Sequence, residues 1–422
     1  MIAKDDIALL TGLFDAAVRA ADPRAAIAAH LPPRPKGRTV VIGAGKGAAQ
    51  MAAAFEELWD APMEGVVVTR YGYGAVTRRI RVMEAAHPVP DPAGLEATSA
   101  LFDAVAGLTE DDLVVALICG GGSALLPAPA GDLTLDDEIA LNRALLASGA
   151  PIGAMNAIRK QVSRIKGGRL AAAAHPAQVV SLIVSDVPGD APAEVASGPT
   201  VPCPRDRALA VRLAETYGIA LPDPIRRHLE TAPEDAPHPD DASFARDRVA
   251  VIASASLSLD AAAEAARSAG VPAVILSDAI EGEAADVGRV HAAIAREVLL
   301  RDRPFTRPVV ILSGGETTVT LTGDGGRGGR NTEFLLSFAL CIDGAGGIVA
   351  MAADTDGIDG SEDNAGAFAN GETANRIRAA GHDPAALLAA HDAWGAFDAA
   401  GALFVPGPTG TNVNDFRAIL IR

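Results

Sequence analysis

Lys46 stands between two glycines in the turn Gly43-Ala44-Gly45-Lys46-Gly47, after the apolar run Thr39-Val40-Val41-Ile42 and before an Ala-rich segment. Glycines there let backbone N–H groups approach an anion closely, and a helix start adds partial positive charge. An ammonium inside such a turn, beside Gly45, is placed to meet phosphate. Four more strand ends repeat the design. Leu113–Cys119 runs into Gly120-Gly121-Gly122-Ser123, whose amides and hydroxyl make a nest for an anion. A plain Gly-rich turn fits that segment equally well. A nucleophile elbow does not, because Leu125 stands where it needs glycine. Val180–Ser185 ends at Asp186, before Val187-Pro188-Gly189-Asp190; a carboxylate there can take a hydroxyl proton or hold Mg²⁺. Val309–Leu312 leads to Ser313-Gly314-Gly315-Glu316, and Met351-Ala352-Ala353 to Asp354 and Asp356. Alternate hard carboxylates at a strand end suit Mg²⁺ beside phosphates. The loop Gly323-Asp324-Gly325-Gly326-Arg327-Gly328-Gly329 brings Arg330 and Asn331 to a helix start, a second expected anion site. Together these groups read as a phosphoryl-transfer site assembled at strand ends.

The run Arg159–Arg169 holds five positive charges and no acid, in a chain of net charge −17. At helical spacing Arg159, Ser163 and Lys166 share one face, with Lys160 and Arg164 beside it. This face, chiefly Lys160 and Lys166, is expected to capture a carboxylate or phosphate. The amides and hydroxyls of Pro408–Asp415, Asn412 among them, suit either a ligand or an Asx-type turn. Gly43-x-Gly45-x-x-Ala48 is also a dinucleotide fingerprint, and Arg70 after the next strand suits an NADP 2′-phosphate, so a reductase remains the alternative. A dinucleotide turn has no need of Lys46. His87, before Pro88-Val89-Pro90-Asp91, reads as a packed or exposed histidine, and Cys119 as a buried small residue.

Short Val/Ile/Leu runs alternate with amphipathic segments, which indicates an α/β fold with a parallel sheet covered on both faces. Helices are expected at 48–58, 95–107, 136–147 and 151–166, the third capped by Thr134 with Asp137 three residues on. The chain has 422 residues, which calls for two domains. The Pro-rich stretch 231–242 is the expected linker, giving domains 1–237 and 238–422. The acidic charge disfavours nucleic acid and anionic membranes, and no apolar run is long enough to span a bilayer. Three scattered cysteines and an N-terminus without a basic leader suit the cytoplasm. A homo-oligomer is left open.

In order along nearly the whole chain stand Gly43-Ala-Gly-Lys-Gly-Ala48, His87-Pro-Val-Pro-Asp91, Gly120-Gly-Gly-Ser-Ala124, Arg159-Lys160 with Ile165-Lys-Gly-Gly-Arg-Leu170, Ser185-Asp-Val-Pro-Gly-Asp190, Ser197-Gly-Pro-Thr200, Leu312-Ser-Gly-Gly-Glu-Thr317, Gly328-Gly-Arg-Asn331, Asp354-Thr-Asp-Gly357 and Gly410-Thr-Asn-Val-Asn-Asp415. In these blocks the chain resembles the class II glycerate kinases, the glycerate 2-kinases whose second half is the MOFRL domain. The resemblance implies ATP- and Mg²⁺-dependent phosphorylation of D-glycerate on its 2-hydroxyl. It also implies a larger Rossmann-like domain, a smaller MOFRL-type domain and an active site in a cleft between them. Lys46 and Arg330 fall where the family's catalytic basic residues stand. Asp186 is assigned to the 2-hydroxyl, and Asp354 and Asp356 to the metal. Gly45, Gly121, Gly122, Ser123, Arg159, Lys160, Lys166, Glu316, Asn331 and Asn412 are assigned to substrate or phosphate. Family members often carry the label hydroxypyruvate reductase, taken from operon context.

Overall fold

The computed structural model describes residues 2–204, 206–233, 236–321 and 325–422. They form two compact units, Pro23–Ile252 and Met1–Asp22 with Ala253–Arg422. This division differs from the expected boundary near 238 at both ends. The helix Lys4–Ala20 buries Leu10, Leu13, Phe14 and Ala17 against the second unit, where the Phe14 ring meets Phe404 and Phe416 edge-on. The described part of the Pro-rich stretch 231–242 belongs to the first unit, because the strand after it returns to that unit's sheet. Glu234 and Asp235 of that stretch lie outside the described residues.

In the first unit the strands are β1 (Thr39–Ala44), β2 (Glu64–Arg70), β3 (Ile80–Ala85), β4 (Leu113–Cys119), β5 (Gln178–Val184) and β6 (Arg248–Ala253), in the order β3-β2-β1-β4-β5-β6. The pairs β3–β2, β2–β1, β1–β4 and β4–β5 are parallel. β1 and β4 are buried throughout, as a sheet covered on both faces requires. This is the Rossmann order, with its switch point between β1 and β4, where the connections leave in opposite directions. Local signals explain the helix starts. Asp91 caps Pro92–Val105 by accepting the Gly94 N–H, and Thr134 and Asp137 form the expected capping box of Leu135–Ala147. The expected helix 151–166 is shorter, Ile152–Gln161, and the chain then turns through Gly167 and Gly168, both left-handed.

The second unit holds β7 (Ala273–Ile275), β8 (Gly282–Glu283), β9 (Val309–Gly315), β10 (Thr317–Thr318), β11 (Ile348–Asp354), β12 (Gly366–Asn370), β13 (Leu403–Phe404) and β14 (Asp415–Ile421). Its main sheet runs β13-β12-β11-β14-β9-β7, and β8 pairs with β10 apart from it. Only β7–β9 is parallel in the main sheet; the other four pairings are antiparallel. The last strand inserts between β9 and β11, a placement that its apolar pattern does not encode. Side chains alternate between two cores. Ile311, Ala350, Ala352 and Ile419 face one way, while Val310, Leu312, Met351 and Ala418 face the helix Lys4–Ala20 and its neighbours. Among the described residues no helix is long and apolar enough to cross a membrane.

Candidate active site

In the first unit the expected groups gather at the C-terminal ends of β1, β4 and β5. The Lys46 N–H donates to the Gly120 carbonyl (2.8 Å), and the Thr69 hydroxyl donates to the Lys46 carbonyl (2.9 Å). Gly45, at φ +132°, lies against Cys119, where a Cβ would overlap the Cys119 carbonyl and sulfur. Cys119 is buried, its Sγ accepts the Gly47 N–H, and burial pushes its thiol up to about 12. It is the inert small residue the sequence indicates. Asp186 packs on the α-carbon of Gly120. Gly121, at φ +78°, is flanked by Lys46 and His87: a Cβ there would sit 3.0 Å from Lys46 Cγ and 3.2 Å from His87 Nε2. A Cβ on Gly122 would sit 2.6 Å from the Ala196 Cβ and 3.3 Å from the Ala44 carbonyl oxygen. The Ser123 hydroxyl meets Ser197 (2.7 Å), which donates to Asn156 Oδ1 (2.9 Å). Ala196, Ser197 and Gly198 are all left-handed, a costly run for two non-glycine residues. The turn is held by Gly167 and Gly168, whose N–H groups donate to the Ser197 and Gly198 carbonyls.

The basic run is not the open face its composition suggests. Lys166 is 1% exposed and donates to Glu138 Oε1 (3.1 Å) and the Leu126 carbonyl (2.7 Å). Lys160 is 4% exposed and pairs with Glu194 (2.6 Å). The expectation that chiefly these two lysines capture a carboxylate or phosphate is therefore corrected: each spends its charge on an internal carboxylate. The helix ends at Gln161, so Lys166 also leaves the face of Arg159. Arg159 is the group left over. It donates to Asn156 Oδ1 (3.1 Å) and Asn142 Oδ1 (2.9 Å), and forms no ion pair within 4 Å among the described residues. Burial lowers its pKa to about 10.

In the second unit Arg330 is held by three carboxylates: Asp415 (2.5 Å), Asp354 (2.6 Å) and Glu316 (3.1 Å). Burial opposes its charge, but Asp415, Asp354 and Glu316 outweigh burial and hold its pKa above the usual value. Asp415 also accepts from Asn331 Nδ2 (2.8 Å), from the Thr317 N–H and hydroxyl, and from the buried Arg417. Burial would raise its pKa, but Arg417 and Arg330 keep it low. The helix Arg330–Cys341 was expected to offer its N-terminus to an anion. That place is taken by Asp359, whose Oδ1 accepts the Asn331 N–H (2.9 Å) and whose Oδ2 accepts the Thr332 N–H (2.8 Å) and hydroxyl (2.7 Å). Asn331, fully buried, is thus a structural link between Asp359 and Asp415. Gly323 and Asp324 of the preceding loop lie outside the described residues. Asn412 makes an Asx turn, accepting the Asn414 N–H (2.9 Å). Sequence reasoning passed over Asp359, Asp415, Asn142 and Asn156 as site residues. Only Asp359 and Asp415 had a local signal, in the runs that contain them.

Mg²⁺ can be tested against Asp354 and Asp356. Asp354 is buried, and burial raises its pKa well above the usual value despite Arg330, with Asp356 and Asp415 adding to the rise. Asp356 accepts the Ile358 N–H (2.8 Å) and faces Asn412. Among the described residues no group of three or more His, Cys, Asp or Glu can hold a metal. Two neighbouring carboxylates fit an ion that takes its remaining ligands from phosphate and water, the usual state of Mg²⁺.

Two family models match the chain: Domain of unknown function (DUF4147) over residues 9–230 and MOFRL family over residues 309–415. A relative from Agrobacterium vitis, provisionally named hydroxypyruvate reductase, is 53% identical over 415 residues, covering 98% of this chain and 94% of its own. Glycerate 2-kinase from Pyrococcus horikoshii is 40% identical over 397 residues, covering 92% of this chain and 88% of its own. The crystal structure of glycerate kinase from Thermotoga maritima superposes with a TM-score of 0.89 at 36% identity, covering 100% of both chains.

Proposed function

This chain belongs to the glycerate kinase family that joins a DUF4147 domain to a MOFRL domain, and on that premise we propose that it transfers a phosphoryl group from ATP to the 2-hydroxyl of D-glycerate. The products are 2-phospho-D-glycerate and ADP. The observation that carries the reading is Lys46, set between Gly45 and Gly47 at the switch point of a Rossmann-ordered sheet, with Asp186 two strands away and packed on Gly120 at the end of the strand between them.

Phosphoryl transfer needs charge neutralisation, an oriented hydroxyl and exclusion of water. Lys46 neutralises the transferring group. Asp186 orients the 2-hydroxyl and takes its proton as that oxygen bonds to the γ-phosphorus and the bond to the ADP oxygen breaks. The amides of Gly121 and Gly122 and the Ser123 hydroxyl bind oxyanions. Arg330 carries the second basic role, with Glu316, Asp354 and Asp415 fixing its guanidinium. Asp354 and Asp356 would hold Mg²⁺, which would supply positive charge to the phosphates. Lys160, Lys166 and Asn331 support the site through their internal bonds rather than by touching substrate. Three free cysteines support a cytoplasmic setting.

The reductase reading is favoured by the label on the Agrobacterium vitis relative and by Arg70 at the end of β2. Against it, the Arg70 guanidinium lies over the Tyr73 ring, 4.2 Å from its centroid. Purified protein with ATP, Mg²⁺ and D-glycerate should release ADP, and enolase added without a mutase should give phosphoenolpyruvate at once. ADP without phosphoenolpyruvate would move the reaction to the 3-hydroxyl. NADPH oxidation with hydroxypyruvate and no ADP release would replace the kinase by a reductase.

A further inference from the structure

One amide side chain ties together two groups that the reaction above does not use, one of them beside Lys46. Asn142, on the helix Leu135–Ala147, is 6% exposed. Its Nδ2 donates to the Pro88 carbonyl (2.7 Å), fixing the turn that carries His87. Its Oδ1 accepts from Arg159 Nη2 (2.9 Å), on the helix Ile152–Gln161. His87 in turn reaches Gly121 on the side where Lys46 lies. Two helices and one turn are thus locked in register by one side chain, whose hydrogen bonds among the described residues are these two.

The charge around this point is unbalanced. Lys46, Arg70 and Arg159 all act on His87 from three different elements, and burial together with these cations lowers its pKa to about 4. Arg159 ends on two neutral amide oxygens, Asn142 and Asn156. Glu138 acts on it through space but is occupied by Lys166 Nζ and the Ala128 N–H. A buried guanidinium without a carboxylate partner, beside a neutral imidazole and a lysine, is a place that gains from an anion. Ser123 lines the same small cavity as Asn142 and Arg159 and adds a hydroxyl.

We propose that Arg159 and His87 form the subsite for the acceptor's carboxylate, and that Asn142 is the positioning residue that holds both in place. The proposal rests on the kinase reading for the identity of the acceptor. Arg159 supplies the charge and two donors in a fixed fork, and His87 a neutral N–H donor. The basic face from Arg159 was expected to take this role chiefly through Lys160 and Lys166, and their internal pairing leaves it to Arg159.

The experiment measures KM for D-glycerate and for ATP separately in Arg159→Lys, His87→Gln, Asn142→Ala and Asn142→Asp, together with binding of D-glycerate alone by calorimetry. In each variant KM for glycerate should rise about tenfold or more while KM for ATP stays within about twofold. Asn142→Asp should be worse than Asn142→Ala, because its carboxylate competes for Arg159, an ordering that a loss of packing alone does not produce. Should either Asn142 variant fail to fold, Arg159→Lys and His87→Gln carry the test. A rise in KM for ATP instead would assign the subsite to a nucleotide phosphate and overturn the proposal. Unchanged KM and unchanged glycerate binding in folded variants would overturn it too. Wild-type protein that binds glycerate, loses that binding in the variants and yet releases no ADP would refute the kinase reading and leave the subsite standing.

Discussion

The carboxylate of Asp186 rests on the α-carbon of Gly120, so closely that a methyl group built on Gly120 overlaps Oδ2 and stands 2.9 Å from the Asp186 Cβ. The same Gly120 accepts the Lys46 N–H through its carbonyl. A glycine thus joins the two strand ends that carry the expected cation and the expected base. Gly120→Ala should displace Asp186 and lower kcat by roughly tenfold to a hundredfold, the cost of misplacing a reacting group. Its Tm should change little, because the overlap falls on a side chain rather than on backbone. Near-normal turnover in this variant would remove Asp186 from the reaction.

Lys46→Ala removes a charge assigned to the transition state. Its kcat should fall by about 10²–10³, with the fold unchanged by circular dichroism. The Lys46 backbone bonds to Gly120 and Thr69 survive the change. Turnover within a few-fold of wild type would exclude the phosphate role.

Asp356→Asn is the cleaner test of the metal, because Asp354→Asn also strips a carboxylate from Arg330. Both should raise the Mg²⁺ concentration needed for half-maximal rate severalfold, as weak sites shared with phosphate do. A superimposable Mg²⁺ titration for Asp356→Asn would reassign that carboxylate to its turn, where it accepts the Ile358 N–H.

Asp359 separates structure from chemistry. Its three short bonds to Asn331 and Thr332 include both helix-start N–H groups, and a Cβ on Gly329 would overlap it. Asp359→Ala leaves buried donors without partners and should cost about 1–3 kcal/mol in urea unfolding. An undiminished midpoint would mean that the helix start finds other acceptors.

His291 links stability to acid. It is buried between Val287 and Ser313, with Nδ1 on the Val287 carbonyl (2.8 Å) and Nε2 at the Ser313 hydroxyl (3.0 Å), and burial lowers its pKa from 6.5 to about 4. The unfolded chain therefore binds this proton first as pH falls. Its stabilising effect is present above about pH 6.5 and is lost towards pH 4, by up to roughly 3 kcal/mol. Unfolding free energies of wild type and His291→Gln at pH 7 and pH 5 should show a smaller loss in the variant. Equal losses would assign the acid sensitivity elsewhere.

The sequence by itself determined the local features. Gly45 and Gly121 stand where positive φ is required, Thr134 and Asp137 cap their helix as their spacing dictates, and β1, β4 and β5 end where Lys46, Gly120 and Asp186 were read. Each of these depends on residues a few positions apart, so pattern and propensity suffice. The tertiary structure decided which charges are spent. Lys166 meets Glu138 across 28 positions, the Arg330–Cys341 helix start meets Asp359 across 28, and Arg330 meets Asp415 across 85. Such partners are chosen by how strands order and helices pack, as when β14 inserts between β9 and β11 and carries Asp415 to Arg330. A run of lysines and arginines looks alike in sequence whether its charges are free or paired. Burial decides between the two, because a charge removed from water must find a partner nearby, and in the run from Arg159 that left Arg159 on neutral amides.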